Sequence, residues 1–182
     1  MNIFCVDDNV LHRKKLIELV TTVFNSKNIR KFNIVECANG EELLANIIKQ
    51  PPAIVLLDIH MPVLDGLSTL VKIRQHNQKC VVIMVSSENA LAVTRFKHRE
   101  RSQIDDDKKR QLLQKVIDRV RLNAKEEGKI NSILEACGNL ELDPVQIALD
   151  LGADGFISKP YDIEQASVEV AKFITSSFSL AK

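Results

Sequence analysis

Short apolar runs alternate with segments of helical period along the whole chain. Five runs have the length and composition of β-strands. The third and fourth are apolar at every position, without the alternation of a half-exposed strand. Such strands are buried on both faces, which is typical of parallel sheets covered by helices. The predicted strands span residues 2–6, 33–37, 53–57, 80–85 and 155–158.

Between these strands, apolar residues recur three and four positions apart, which indicates helices with one buried stripe. Strand and helix alternate, so the crossovers join parallel strands and are right-handed. We therefore predict one α/β domain over residues 1–182, a doubly wound five-stranded parallel sheet with helices on both faces. The stripes are Leu16, Ile17, Val20 and Phe24; Leu43, Leu44, Ile47 and Ile48; Leu67, Leu70 and Val71, with Arg74 as polar limit; and Ile163, Ala166, Val170, Phe173 and Ile174.

The connection between the fourth and fifth strands is too long for one crossover. Ser86 and Lys159 are 73 positions apart, whereas a strand-helix-strand connection needs about 20 to 25 residues. A helix capped by Asp143, with Pro144 at its first position, precedes the fifth strand. Residues 89–142 are therefore predicted to be an insertion in the loop after strand four, a helical hairpin that covers the parent domain or a second chain.

Polar side chains follow the predicted strands at their carboxyl ends. Asp7 and Asp8 follow the first strand, Asp58 the third, Ser86 the fourth and Lys159 the fifth. Each alone has an ordinary structural explanation as a helix cap or a turn residue. In doubly wound sheets, however, these ends meet at one edge, where ligands bind.

Three carboxylates gathered at one edge repel one another by roughly 1 kcal/mol per pair in water, and by more near a protein surface. A divalent cation relieves this repulsion, and Mg²⁺ prefers oxygen ligands; Mn²⁺ is the alternative. Three carboxylates, one such ion and the Lys159 ammonium sum to zero charge. A carboxylate in this setting is a nucleophile towards phosphorus, and Asp58 is the candidate to form an aspartyl phosphate.

Four segments carry a family resemblance: "CVDDN", "LLDIHMPVLDG", "VVIMVSSE" and "LGADGFISKPYD". They resemble the signature segments of response-regulator receiver domains of two-component signalling, the group that contains the chemotaxis regulators. The resemblance covers residues 1–88 and 143–176. It implies the flavodoxin-like receiver fold and an Mg²⁺-dependent phosphoacceptor.

The resemblance also assigns roles to individual residues. Asp58 is the phosphoacceptor, Asp8 and Asp58 bind the metal directly together with the backbone carbonyl of His60, and Asp7 acts through water. Ser86 and Lys159 contact the phosphoryl group. Phe156 occupies the aromatic switch position, with a plain core residue as the other interpretation, and His60 and Glu88 occupy positions that tune the phosphoryl lifetime. The Lys159–Pro160 peptide is expected to be cis.

We therefore expect a stand-alone response regulator, phosphorylated by a histidine kinase or a phosphotransfer protein. It would not be an enzyme beyond its own phosphorylation and dephosphorylation. Its output would be a protein target or a second copy, bound through residues 89–142 and the surface from the fourth to the fifth helix. Two alternatives remain open: an aspartyl-phosphate phosphatase or phosphotransferase, and a pseudo-receiver with nucleic-acid contacts through the charged stretch 95–110.

The amino-acid composition limits the classes of binding partner and of site that can be expected. The net charge is +1, with 25 basic and 24 acidic residues, and there are one Tyr, seven Phe and no Trp. Neither a general attraction to nucleic acid nor a platform for base stacking is indicated. The four cysteines form no C-x-x-C pair, so neither a disulfide framework nor a zinc site is predicted. Without a leader or a membrane-length apolar run, a cytoplasmic protein is expected.

Overall fold

A computed structural model of the chain describes residues 1–76, 79–87 and 144–179, of which 175–179 as backbone only. Strands and helices alternate as predicted. The elements are β1 (Asn2–Val6), α1 (Val10–Ser26), β2 (Asn33–Cys37), α2 (Gly40–Ile47), β3 (Pro52–Asp58), α3 (Gly66–Gln75), β4 (Val81–Ser86), α4 (Pro144–Asp150), β5 (Gly155–Ser158) and α5 (Ile163–Ser179).

The five strands form one parallel sheet in the order β2-β1-β3-β4-β5. This confirms the predicted doubly wound α/β fold. Strand order reverses between β1 and β3, which is where ligands bind in sheets of this kind. Both β3 and β4 extend one residue beyond their predicted ends, because Asp58 pairs with Val85 and Ser86 pairs with Ser158.

The core lies in two layers, one on each face of the sheet. Alternate residues of a strand face opposite sides, so Ile3 and Cys5 belong to one layer and Phe4 and Val6 to the other. The first layer also contains buried residues of α1 and α5, and the second contains those of α2, α3 and α4. Helices therefore cover both faces of the sheet.

One side chain departs from the predicted stripes. Ile48 follows the last residue of α2 and is 79% exposed, whereas Leu43 and Ile47 are buried as predicted. The predicted apolar stripe of this helix is one residue too long, because α2 ends at Ile47 and the chain turns there.

Part of the predicted connection after β4 lies outside the described residues, namely Glu88, the insertion 89–142 and Asp143. Helix α4 does begin at Pro144, and Gly152 beyond its end has φ of 98°, the left-handed conformation that favours glycine. Among the described helices, none is both long and apolar enough to span a bilayer.

Candidate functional site

Three carboxylates meet at the switch point of the sheet. One oxygen from each of Asp7, Asp8 and Asp58 lies within 4.8 Å of the others. Asp7 is fully buried and Asp58 is 5% exposed, whereas Asp8 is exposed. The buried strands β1 and β3 carry these side chains, so the cluster has a rigid base and one face open to solvent.

Lys159 joins this cluster from β5. Its ammonium donates to Asp7 Oδ2 at 2.6 Å and to Asp58 Oδ1 at 2.9 Å, although these partners are 152 and 101 positions away along the chain. The Lys159 backbone N–H donates to the Ser86 carbonyl at 2.7 Å. The Lys159–Pro160 peptide is cis. The four predicted charged groups are therefore brought together.

The turn after β1 is fixed by its own polar groups. The Asn9 side chain accepts from Leu11 N–H at 2.8 Å and caps α1, as Asn often does at helix starts. The Asn9 N–H in turn donates to Asp7 Oδ1 at 2.8 Å. The carboxylate of Asp7 is therefore oriented by the backbone of the turn on one side and by Lys159 on the other.

Two residues of α1 that the sequence analysis did not single out contact the turn after β1. This turn carries Asp7 and Asp8 and is called the acidic turn below. His12 Nδ1 lies 3.4 Å from Asp7 Oδ1. Arg13 Nη1 donates to the backbone carbonyl of Asp7 at 2.7 Å and to that of Asp8 at 3.3 Å. Both face back towards the turn because they lie on the first turn of the helix. The sequence signal was weak, since they belong to a basic run that also suits a solvated helix face.

The loop after β3 is fixed by its own hydrogen bonds. Gly66 N–H donates to the Ile59 carbonyl at 2.9 Å, and the Asp65 side chain caps α3 by accepting from Ser68 N–H at 2.9 Å. Sequence reasoning passed over both Gly66 and Asp65. Asp65 is buried, but its role is that of a helix cap and it lies outside the acidic cluster.

Burial dominates the electrostatics of Asp58. It raises the pKa of this carboxyl above the ordinary value of 3.8, and the ammonium of Lys159 opposes that shift. The neighbouring Asp7 carboxylate raises the pKa further, and His60, an exposed residue of the loop, lowers it. Asp58 is thus a carboxylate whose charge is costly in isolation and is stabilised by cations.

The remaining predicted residues lie near this site in different ways. Ser86 is fully buried at the end of β4, directly after Val85, the residue that pairs with Asp58. Phe156 is half-buried and packs against the α2–α3–α4 layer of the core. Glu88 lies outside the described residues.

A cleft of about 400 Å³ opens beside Lys159. Lys159, whose ammonium binds Asp7 and Asp58, forms part of its wall. Among the described residues that line it, three carry basic side chains, which favours an anionic occupant. The lining residues are His12, Lys15, Ser87, Lys159, Pro160 and Tyr161.

A family model described as response regulator receiver domain matches residues 3–122. The match contains Asp7, Asp8, Asp58 and Ser86 but ends before Lys159. The fold supplies this last group, since β5 lies beside β4 at the same edge of the sheet.

Curated relatives match about half of the chain. The positive alginate biosynthesis regulatory protein of Pseudomonas aeruginosa is 35% identical over 98 residues, covering 53% of this chain and 37% of that protein. The protein-glutamate methylesterase/protein-glutamine glutaminase 1 of Syntrophomonas wolfei is 36% identical over 85 residues, covering 47% of this chain and 22% of that protein. The chain therefore spans well under half the length of these relatives.

Solved structures share the fold. The CheX-CheY-BeF3-Mg complex from Borrelia burgdorferi matches with a TM-score of 0.54 and 24% identity, covering 96% of this chain and 89% of the solved one. At this identity the likeness concerns the fold alone. It agrees with the five-stranded parallel sheet described above.

Proposed function

Since the chain belongs to the response regulator receiver domain family, we propose that Asp58 accepts a phosphoryl group from a histidine kinase or a phosphotransfer protein. One observation carries the proposal. Asp58 ends a buried strand with Lys159 at 2.9 Å and with the Asp7 and Asp8 carboxylates within 4.8 Å. A nucleophile on a rigid mount, with a cation beside it, suits phosphoryl transfer.

The acidic cluster fits a hard divalent cation. Three carboxylates offer only oxygen atoms, and the single Lys159 ammonium leaves them with an excess of negative charge. Asp8, Asp58 and the backbone carbonyl of His60 would hold Mg²⁺ or Mn²⁺ directly, and Asp7 would hold it through water. When bound, the ion supplies positive charge to the transferring phosphoryl oxygens.

The chain's own groups divide the work of the transfer. An oxygen of Asp58 forms the new bond to phosphorus, while the bond from phosphorus to the donor's nitrogen or oxygen breaks and its electron pair leaves with the donor. The Lys159 ammonium balances charge on the phosphoryl oxygens. The buried Ser86 hydroxyl is the group we assign to hydrogen-bond the product, because it ends the strand beside β3.

We propose that the phosphorylated state is read by a protein partner or by a second copy of the chain. A hydrogen bond from Ser86 to the phosphoryl group would move the loop after β4, and Phe156 on the neighbouring β5 would respond. Residues 89–142 follow that loop directly. Hydrogen exchange of these residues should change when a phosphoryl mimic is added, and unchanged exchange throughout would count against this output.

The central experiment is mass spectrometry of the intact chain after incubation with acetyl phosphate and Mg²⁺. Wild type should gain the mass of one phosphoryl group, and peptide mapping should place it on Asp58. Asp58→Asn should gain none, and chelator should prevent the gain in wild type. Asp150→Asn, an exposed acid at the end of α4, is the matched control and should be modified like wild type. Modification of Asp58→Asn to the wild-type extent would refute the assignment.

A further inference from the structure

The side chain of Arg13 links the backbone of both β1-end acids to strand β2. Nη1 donates to the carbonyls of Asp7 at 2.7 Å and of Asp8 at 3.3 Å. Nε donates to Glu36 Oε2 at 3.2 Å. The Arg13 side chain is 13% exposed, and that of Glu36 is 50% exposed. One guanidinium therefore bridges the acidic turn and the end of the neighbouring strand.

The position of Arg13 is itself well fixed. Its backbone N–H donates to the Asn9 carbonyl at 3.0 Å, in the first turn of α1. A guanidinium is planar, carries several donors in a fixed geometry and stays charged. By binding two successive carbonyls, it restrains the peptide units on either side of Asp8, and so the backbone from which the Asp8 side chain projects. Asp8 is the exposed acid of the cluster, so packing restrains its side chain less than those of the buried Asp7 and Asp58.

We propose that Arg13 is a positioning residue for the cation site, an inference that rests on the proposed Mg²⁺-dependent function. Arg13 holds the backbone of the two acids so that their carboxylates face the ion in one orientation. Glu36 holds the guanidinium in place. Neither side chain touches the ion.

Removal of Arg13 should change the affinity for Mg²⁺ in opposite directions, depending on whether the residue acts by its charge or by positioning the acids. Arg13 brings a positive charge close to a site for a cation, so a purely electrostatic effect of its removal would be tighter Mg²⁺ binding. Loss of positioning gives the opposite result, because the acids must then be ordered when the ion binds. Replacement of groups that orient metal ligands typically weakens binding by about 10- to 100-fold.

The test is calorimetric titration of Mg²⁺ into the full chain. Arg13→Gln should raise the Kd by about 10-fold. Arg13→Lys keeps the charge but lacks the planar guanidinium with its fixed set of donors. Its Kd should therefore lie between those of wild type and Arg13→Gln. Arg30→Gln is the matched control and should bind like wild type. Arg30 is exposed and lies three residues before β2 begins at Asn33, at the edge of the sheet opposite to the acidic cluster. An unchanged or lower Kd for Arg13→Gln overturns the proposal.

Glu36→Gln provides a second test on a half-exposed residue whose replacement should leave the fold intact. The neutral amide oxygen of glutamine is a weaker acceptor for Arg13 Nε than the carboxylate, and both carbonyl contacts stay, so the Kd should rise by less than in Arg13→Gln. If Arg13→Gln does not fold, Arg13→Lys decides, because it keeps the charge: a raised Kd supports positioning, and a wild-type Kd refutes it.

Phosphorylation kinetics separate positioning from general damage to the site. The rate of Arg13→Gln with acetyl phosphate should fall at limiting Mg²⁺ and recover at saturating Mg²⁺. A rate that stays low at saturation contradicts the proposal. If wild type itself binds no Mg²⁺, the proposed function fails together with this inference; if wild type binds and Arg13→Gln binds equally well, only the inference fails.

Discussion

Gly66 lies directly against Asp58. A Cβ atom built on Gly66 would overlap the Asp58 carbonyl oxygen and would stand 2.9 Å from the Asp58 carbonyl carbon. These neighbours are backbone atoms, which cannot rotate aside as a flexible side chain does. The first residue of α3 therefore sets the position of the strand end that carries the proposed phosphoacceptor.

Gly66→Ala should consequently displace the backbone at Asp58. We expect a loss of roughly 1–3 kcal/mol in the free energy of unfolding, the usual cost of overpacking, measured by urea denaturation. The initial rate of phosphorylation by acetyl phosphate should also fall, because the nucleophile moves relative to Lys159.

Gly152→Ala is the control that separates the loss of stability from the loss of phosphorylation rate. Gly152 has φ of 98°, so alanine there is strained by roughly 1–2 kcal/mol. Its neighbour is the Arg74 side chain, away from the acidic cluster. This variant should be less stable than wild type yet be phosphorylated at the wild-type rate. An equal loss of rate in both variants would mean that stability alone controls the reaction.

Neutralising Asp58 should stabilise the metal-free protein. Burial raises the pKa of this carboxyl above 3.8, so its ionisation in the folded state costs free energy. In chelator at pH 7, Asp58→Asn should raise the melting temperature by about 2–4 °C, which corresponds to ~1 kcal/mol for a chain of this size. A lower melting temperature would show that the charged carboxylate holds structure.

The pH dependence of the same variant follows from the direction of the shift. A carboxyl whose pKa is raised on folding contributes stability that is fully present below the unfolded pKa and is lost as pH rises through the folded pKa. In chelator, the difference between Asp58→Asn and wild type should therefore be smallest below pH 3.8 and should grow as pH rises.

Removing Lys159 should have the opposite effect to removing Asp58. Lys159→Met leaves the buried Asp7 and Asp58 carboxylates facing each other without their cation. We expect a loss of about 3 kcal/mol in chelator, as for other buried pairs deprived of one partner. In the double variant Lys159→Met, Asp58→Asn, more of this loss should be recovered than the ~1 kcal/mol that Asp58→Asn gains alone. A strictly additive double-mutant cycle would rule out the coupling between these two residues.

The described cysteines should resist alkylation in the native state. Cys5, Cys37 and Cys80 are buried free thiols, and burial raises the pKa of Cys5 to about 12 and that of Cys37 to about 11. Since the thiolate is the reactive form, iodoacetamide at pH 8 should label these three only as the chain unfolds. Peptide mapping of a time course, with and without urea, checks this.

The same thiols predict the alkaline limit of stability. A thiol whose pKa is raised on folding stabilises the native state fully below its unfolded pKa, and this contribution is lost as pH rises towards the folded value. The free energy of unfolding should fall above about pH 9, and Cys5→Ala should reduce that slope. An unchanged slope in Cys5→Ala would contradict this account.

The sequence by itself determined the order of elements and the chemistry at the strand ends. The uninterrupted apolar runs before Asp58 and Ser86 predict buried parallel strands, because only helices on both faces can cover them. Since parallel strands end at one edge, Asp7, Asp8 and Asp58 could be predicted to meet. This information is local: it depends on side-chain polarity and on periods of two and of 3.6 residues.

The tertiary structure decided which groups touch. Lys159 binds Asp7 across 152 positions of the chain, a contact set by the packing of β5 beside β4. Arg13 reaches two backbone carbonyls and Gly66 contacts the Asp58 backbone, and backbone groups are the same at every position, so residue type does not reveal such contacts. Periodicity fixes the face on which a side chain lies, but the partner it meets there depends on how distant segments pack.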